Sequence, residues 1–216
     1  MPNIYSNGGS DAWILSGDTD WATARDATSG EYIGRTGPIG GKSKTAMSAI
    51  LKRGAYSVYR SFLFFDTSGI SEAPESASLE IKGYSIGNAD FFAVRSNANY
   101  EITEDEFDSI VGWNGSGVDN ESNVTKYSDE ITSWSTSGYN TITLNAEARN
   151  RIWSLDLFIV CLIESVNDLR NVAPTGFSNS SGMYFSDMPG TSNDPYLSYT
   201  VAGAVTESAT FFGCNF

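Results

Sequence analysis

The stretch YSVYRSFLFFDTSGI, residues 56–70, sets the reading of the whole chain. Two-residue alternation puts Val58, Arg60, Phe62 and Phe64 on one side, with Tyr59, Ser61, Leu63 and Phe65 on the other. Neither side is polar. The stretch reads as a strand covered on both faces, lying between two layers and stopped by the turn residues Asp66-Thr67-Ser68-Gly69. Arg60 in such a place has to find a partner, because a buried charge without one is strongly destabilising.

Working outward, strand-like runs separated by turn residues recur at 12–15, 31–33, 78–86, 90–96, 140–144, 157–165, 182–185 and 196–201. In SASLEIKGYSI, Ala77, Leu79 and Ile81 alternate with Ser78, Glu80 and Lys82, which suits a half-exposed strand. LFIVCLIESV does not alternate and reads as central, with Cys161 a small core hydrophobe. Two short helical stretches interrupt. TEDEF has Thr103 and Glu106 at capping-box spacing, and NAEARNRIW starts at Asn145 with Ala148 and Ile152 on one face. Long amphipathic helices are missing. The predicted fold is all-β, a two-sheet antiparallel jelly-roll β-sandwich with one or two short helices. Its expected parts are a leader at residues 1–9, the sandwich at 10–202 and an aromatic tail at 203–216.

Thirteen Lys and Arg against 26 Asp and Glu give a formal charge of -13. Such a surface repels phosphate backbones and anionic lipid, so nucleic-acid binding is disfavoured. The longest apolar run, residues 157–163, is far short of a membrane span. The opening MPNIYSNGGSDAW has neither a basic nor an apolar signal region, so a protein made in the cytoplasm is expected. Two cysteines, Cys161 and Cys214, are too few for a disulfide framework. With no histidine, the Ser-His and Cys-His nucleophile pairs and imidazole zinc sites are excluded.

Several motifs fall in a recognisable order: SDAWILSGDTDWATARDATSG at 10–30, YRSFLFFDTSGI at 59–70, APESASLEI at 73–81, YNTITLNAEARNRI at 139–152, and the closing PYLSYTV. In this order the chain resembles the DNRLRE-type carbohydrate-binding-module-like sandwiches, a jelly-roll superfamily of bacterial surface and bacteriophage structural proteins. The motif that names the family is absent, and NDLRN at 167–171 is only a faint echo of it. The resemblance implies that Arg60 sits between the sheets at a strand end, tied to a carboxylate or to backbone carbonyls. Asp66 and Asp90 are the candidate carboxylates.

Candidate chemistry is sparse. TGPIGGKSK, residues 36–44, misses P-loop spacing by one residue and reads as a flexible loop. Asp18, Asp20, Asp26, Asp119 and Glu121 could hold a structural calcium, as jelly-roll modules often do, but without EF-hand spacing they read as solvated turns. No other cofactor is expected. The polar stretch at 113–137 is a decorated loop or an extra hairpin. Trp113, Tyr127 and Trp134 within it, with Tyr139 beyond it, are either a glycan-stacking set or pins that hold the loop to the sandwich. A glycosidase would need two opposed carboxylates, and no pair stands out. Phe211, Phe212 and Phe216 make the tail a candidate assembly contact, with Cys214 packing among them.

The expected function is therefore non-enzymatic: a virion structural and interaction protein, such as a bacteriophage capsid-decoration, head-fibre or tail-associated subunit. Its partners would be other virion proteins, copies of itself, or host-surface glycans. A free carbohydrate-binding or adhesion module is the alternative, with a glycoside hydrolase behind it.

Overall fold

The computed structural model describes residues 2–35, 41–177, 179–186 and 190–202. Within them the chain is all-β, with eleven strands paired antiparallel and only short helices. The twelve-residue β5 (Ala55–Asp66) is its axis. The first half of β5 runs between β2 (Ala12–Asp18) and β4 (Lys42–Lys52). From Ser61 onward β4 gives way to β9 (Leu157–Glu164), and β7 (Phe91–Arg95) pairs with β9 beyond it. β3 (Tyr32–Arg35) pairs with β2.

The second layer is built on β6 (Ser76–Gly87). Its first half lies between β11 (Tyr196–Thr200) and β8 (Tyr139–Thr143), with β1 (Asn3–Tyr5) outside β11. Its second half pairs instead with β10 (Ser180–Tyr184), which leads through β4 back to β5. The layers are thus one hydrogen-bonded system joined through β6, where two separate sheets were expected. β6 is long enough to serve both.

Two apolar cores result. Between the layers, Leu63, Phe65, Val160 and Leu162 meet Leu79, Ile81, Ile142 and Leu197. On the opposite side of β5, Phe62, Phe64, Cys161 and Ile163 lie under Ala24, Phe107, Ile110, Val124 and Leu169. Ala24 belongs to α1 (Trp21–Arg25), Leu169 to the helical turn Ser165–Leu169 after β9, and the others come from irregular chain. Both faces of β5 are covered, as its alternation requires, and β9 is central. Burial pushes the Cys161 thiol pKa up, consistent with a packing role.

Four elements escape the sequence reading: β1, α1, all of β4 and the helical turn Ser165–Leu169. The β4 stretch KSKTAMSAILK is rich in Lys, Ala and Ser, residues that carry little strand preference. Those small residues are required here, since Ala46 and Met47 enter one core and Ala49 the other. Accordingly the region read as a loop through Lys44 becomes strand at Lys42; residues 36–40 lie outside the described residues. At Thr103 the capping box does not form. The segment is a single 3-10 turn without a side-chain cap, and Glu106 accepts from Ser109 Oγ and Asn99 instead. The second helix, α2 (Ala146–Ser154), matches: Asn145 caps Ala148 N–H, and Ala148 and Ile152 are buried. The 113–137 stretch is a loop laid along β7, with bridges Val94↔Lys126 and Phe91↔Ile131. Among the described residues no helix is long and apolar enough to cross a membrane.

Gly83 marks the point where β6 changes partners. A Cβ there would sit 1.8 Å from the Ser135 carbonyl oxygen, a backbone atom that cannot swing away. Gly83→Ala is expected to cost about 1–3 kcal/mol, measured by urea unfolding, whereas Gly69→Ala, which meets nothing within 4 Å, should be near neutral.

Candidate functional site

Arg60 is fully buried, and the structure corrects its partner. The carboxylate is Asp168, neither Asp66 nor Asp90. Arg60 Nε donates to Asp168 Oδ2 at 2.8 Å and Nη2 to Oδ1 at 2.7 Å, a two-pronged pair. Nη1 and Nη2 also donate to the carbonyls of Phe107 and Arg25, at 2.9 and 3.0 Å. Asp66 stays exposed at the strand end, where it accepts from Ser68 N–H and Oγ, and those bonds hold its pKa below the ordinary value. Asp90 is partly buried, and its carbonyl accepts Ser165 N–H.

Asp168 is aimed by the turn that follows β9. Glu164 accepts the N–H groups of Val166, Asn167 and Asp168 at 3.0, 2.7 and 2.8 Å, winding Ser165–Leu169 into one π-helical turn. This is the NDLRN segment. Asp168 meets Arg60, Leu169 enters the core, Arg170 leaves for the surface and Asn171 accepts Trp21 Nε1–H. A second arginine, Arg25, is also buried, donating to the carbonyls of Asp168 and Val118 and to Asp26. Burial pulls the Arg25 pKa down while Asp168 and Asp26 hold it up. Trp113 lies against both guanidiniums, at 4.0 Å from Arg60 and 4.6 Å from Arg25.

This placement settles what the four aromatic candidates touch. Trp113 belongs to the arginine centre. Tyr127 is buried and stacks on Phe158 at 5.1 Å, so its ring cannot meet a glycan. Burial pushes its hydroxyl pKa up to about 12. Trp134 is half-buried, donates to the Gly182 carbonyl and packs edge-on to Phe91. Only Tyr139 lines an open surface. The carboxylates considered for calcium act as caps and ion-pair partners: Asp18 for Asp20 N–H, Asp20 for Thr23, Asp26 for Arg25, Asp119 for Glu121 N–H. Glu121 pairs with Arg170 and Lys126. Among the described residues no three potential metal ligands converge. The tail with Phe211, Phe212, Cys214 and Phe216 lies outside the described residues.

The open surface is a groove of about 480 Å³ between β8 and the loop at 128–133. Among the described residues β8 pairs with β6 alone, on one of its two edges. Leu144 N–H bonds Ala77 and Gly83 N–H bonds Gly138, so alternation turns the amides of Thr141 and Thr143 toward the groove. Hydroxyl side chains dominate the lining: Ser128, Thr132, Ser133, Thr141 and Thr143. Its Glu130 is gripped by both arms of Arg170, at 2.9 and 3.0 Å, and by Ser165 Oγ. These contacts hold the Glu130 carboxyl below the usual carboxylate range. No family model matches the chain, and no curated protein matches it.

Two outcomes follow from the arginine centre. Arg60→Met should lose about 3–5 kcal/mol in urea unfolding, since Asp168 keeps a buried charge without its counterpart, and Arg60→Met/Asp168→Leu should recover part of it. Glu164 behaves oppositely to most carboxylates, because burial raises its pKa to about 7 in spite of the three amides. The folded protein then binds this proton more tightly than the unfolded chain between about pH 4.5 and 7, so this group's contribution falls as pH rises through that window. Glu164→Gln should flatten the difference in unfolding free energy between pH 5 and pH 7.5.

Proposed function

We propose that this chain is a non-enzymatic structural and interaction protein of a virion: a bacteriophage capsid-decoration, head-fibre or tail-associated subunit on a carbohydrate-binding-like jelly-roll sandwich. The observation that supports the non-catalytic part is that Glu130, the glutamate of the groove, is not set up as a general acid. A glycosidase-type acid must be kept protonated near neutral pH by an apolar setting. Glu130 is the reverse, a carboxylate stabilised in its ionised form by Arg170 and Ser165. It accepts hydrogen bonds and does not release protons to a leaving group. The particle assignment draws on the resemblance of the ordered motifs and on the acidic, histidine-free composition, which favours contact over chemistry. Partners are other virion proteins or further copies of the chain, with Phe211, Phe212 and Phe216 as the assembly contact.

The hydroxyl-lined groove favours one second reading, a free carbohydrate-binding or adhesion module. Polyhydroxylated ligands are held by convergent neutral donors and acceptors, and the groove offers these with strand-edge amides beside them. The two readings separate by location. On density-banded particles from a lysate carrying this gene, antibody against the chain should label the particle band, and deletion of residues 209–216 should abolish that label. Recovery of the full chain only in the free soluble fraction would overturn the particle reading.

A further inference from the structure

The outer face of the β1-β11-β6-β8 layer carries an ordered array that the sequence did not single out. Strand register aligns Tyr5, Tyr196, Glu80 and Thr141 in one row across the four strands. The next row is Asn3, Ser198, Ser78 and Thr143, all small and polar. Leu79, Ile81, Ile142 and Leu197 enter the core, so these rows face outward by alternation. Tyr139, opposite Lys82, completes a chain of rings: Tyr5 to Tyr196 at 5.6 Å and Tyr196 to Tyr139 at 5.3 Å between centroids.

Glu80 sits at the middle of this array and is nearly covered. Its two carboxylate oxygens accept one hydrogen bond each, from Ser78 Oγ and Thr141 Oγ1, both at 2.8 Å. The two hydroxyls thereby fix their protons inward and leave oxygen lone pairs facing out. Lys82, two residues along the same strand, is held by Asn193 Oδ1 at 2.6 Å. The face therefore presents aromatic rings flanked by oriented acceptors around a negative centre. It repels anionic chains and suits the hydroxyl donors of neutral sugars, whose C–H faces can lie on the tyrosines.

We propose that this face is a binding platform for a single chain of neutral oligosaccharide, crossing the strands from Tyr5 to the β8 groove. The width of four strands, about 14 Å, accommodates a short run of sugar rings, and the ring-to-ring spacing is close to one pyranose. Adjacent rings are tilted by 55° and 59°, so they form a twisted track suited to a soluble chain and not to a flat crystalline surface. This inference rests on the saccharide-binding reading and goes beyond it by naming the face, the ligand charge and the ligand form.

The test is affinity electrophoresis of the full chain in native gels containing a soluble β-glucan, mannan, xylan or galactan, with insoluble cellulose pull-down alongside. The expected result is retardation by at least one soluble neutral polymer, no cellulose pull-down, and at least tenfold weaker binding in Tyr5→Ala and Thr141→Ala. Tyr5 and Thr141 are both exposed, but Thr141→Ala removes one of the two hydrogen bonds of the nearly covered Glu80, so binding of each variant is measured well below its own melting temperature, with the fold checked by circular dichroism. Tyr32→Ala, an exposed ring on the other layer, should bind as wild type. Tyr5 stands three strands from the groove, so its loss cannot act through the groove wall. If wild type binds but Tyr5→Ala and Thr141→Ala bind equally well, or only Asp129→Ala and Thr132→Ala fail, the platform is wrong and the saccharide reading survives. If no polymer retards the wild type, both are overturned. Cellulose pull-down lost in Tyr5→Ala would overturn the soluble-chain form.

Discussion

A guanidinium in the middle of β5 has five donors to satisfy away from water, and the covering layer is organised around that demand. Arg60 draws Asp168 from the turn after β9, the Phe107 carbonyl from the 3-10 turn and the Arg25 carbonyl from α1. Three segments far apart in sequence are thereby fixed against one strand. Arg25 extends the pattern to Val118, and Trp113 closes over both cations. Each partner is itself held, with Asp168 placed by Glu164 and Trp21 anchored to Asn171. Loss of one member leaves its partners buried and unpaired, so the pieces of the network are strongly coupled.

That arrangement gives the two sides of β5 different roles. One side is the interlayer core, made mainly by strand alternation and completed by Ala148 and Ile152 of α2. The other is a polar-centred lid that shields Phe62 and Phe64 with turns and loops. The lid also reaches the surface through Arg170, whose grip on Glu121 and Glu130 places one wall of the β8 groove. The geometry of the groove is therefore tied to the buried centre by a single turn of chain, from Asp168 to Arg170.

The covered strand at 56–70, the central strand at 157–165, the half-exposed 78–86 and the helix after Asn145 were all legible, because alternation and capping are local signals. β4 was not. Its Ala and Ser are buried between two neighbouring strands while its Lys stay exposed, a constraint visible only after pairing is known. The need for a partner at Arg60 could be read from the pattern, but its identity could not, since Asp66 is close in sequence and Asp168 is close in space. One clue existed: NDLRN follows directly on the strand that pairs with β5. Of the aromatic candidates, the three within the polar stretch, Trp113, Tyr127 and Trp134, all pack against the body, and only Tyr139 beyond it lines the groove. The outer tyrosines, Tyr5 and Tyr196, sit at opposite ends of the chain and meet only through β1–β11 pairing.

β6 belongs to both layers, and that has a mechanical meaning. In a sandwich of independent leaves, the leaves can slide or part by giving up side-chain contacts. Here they share a spine, and separating them means tearing main-chain bonds along β6 and β10. Tension on the body should first strip the outermost strips, β1 and β3, and leave the spine for last. A fold loaded in this way gains toughness from that single shared strand.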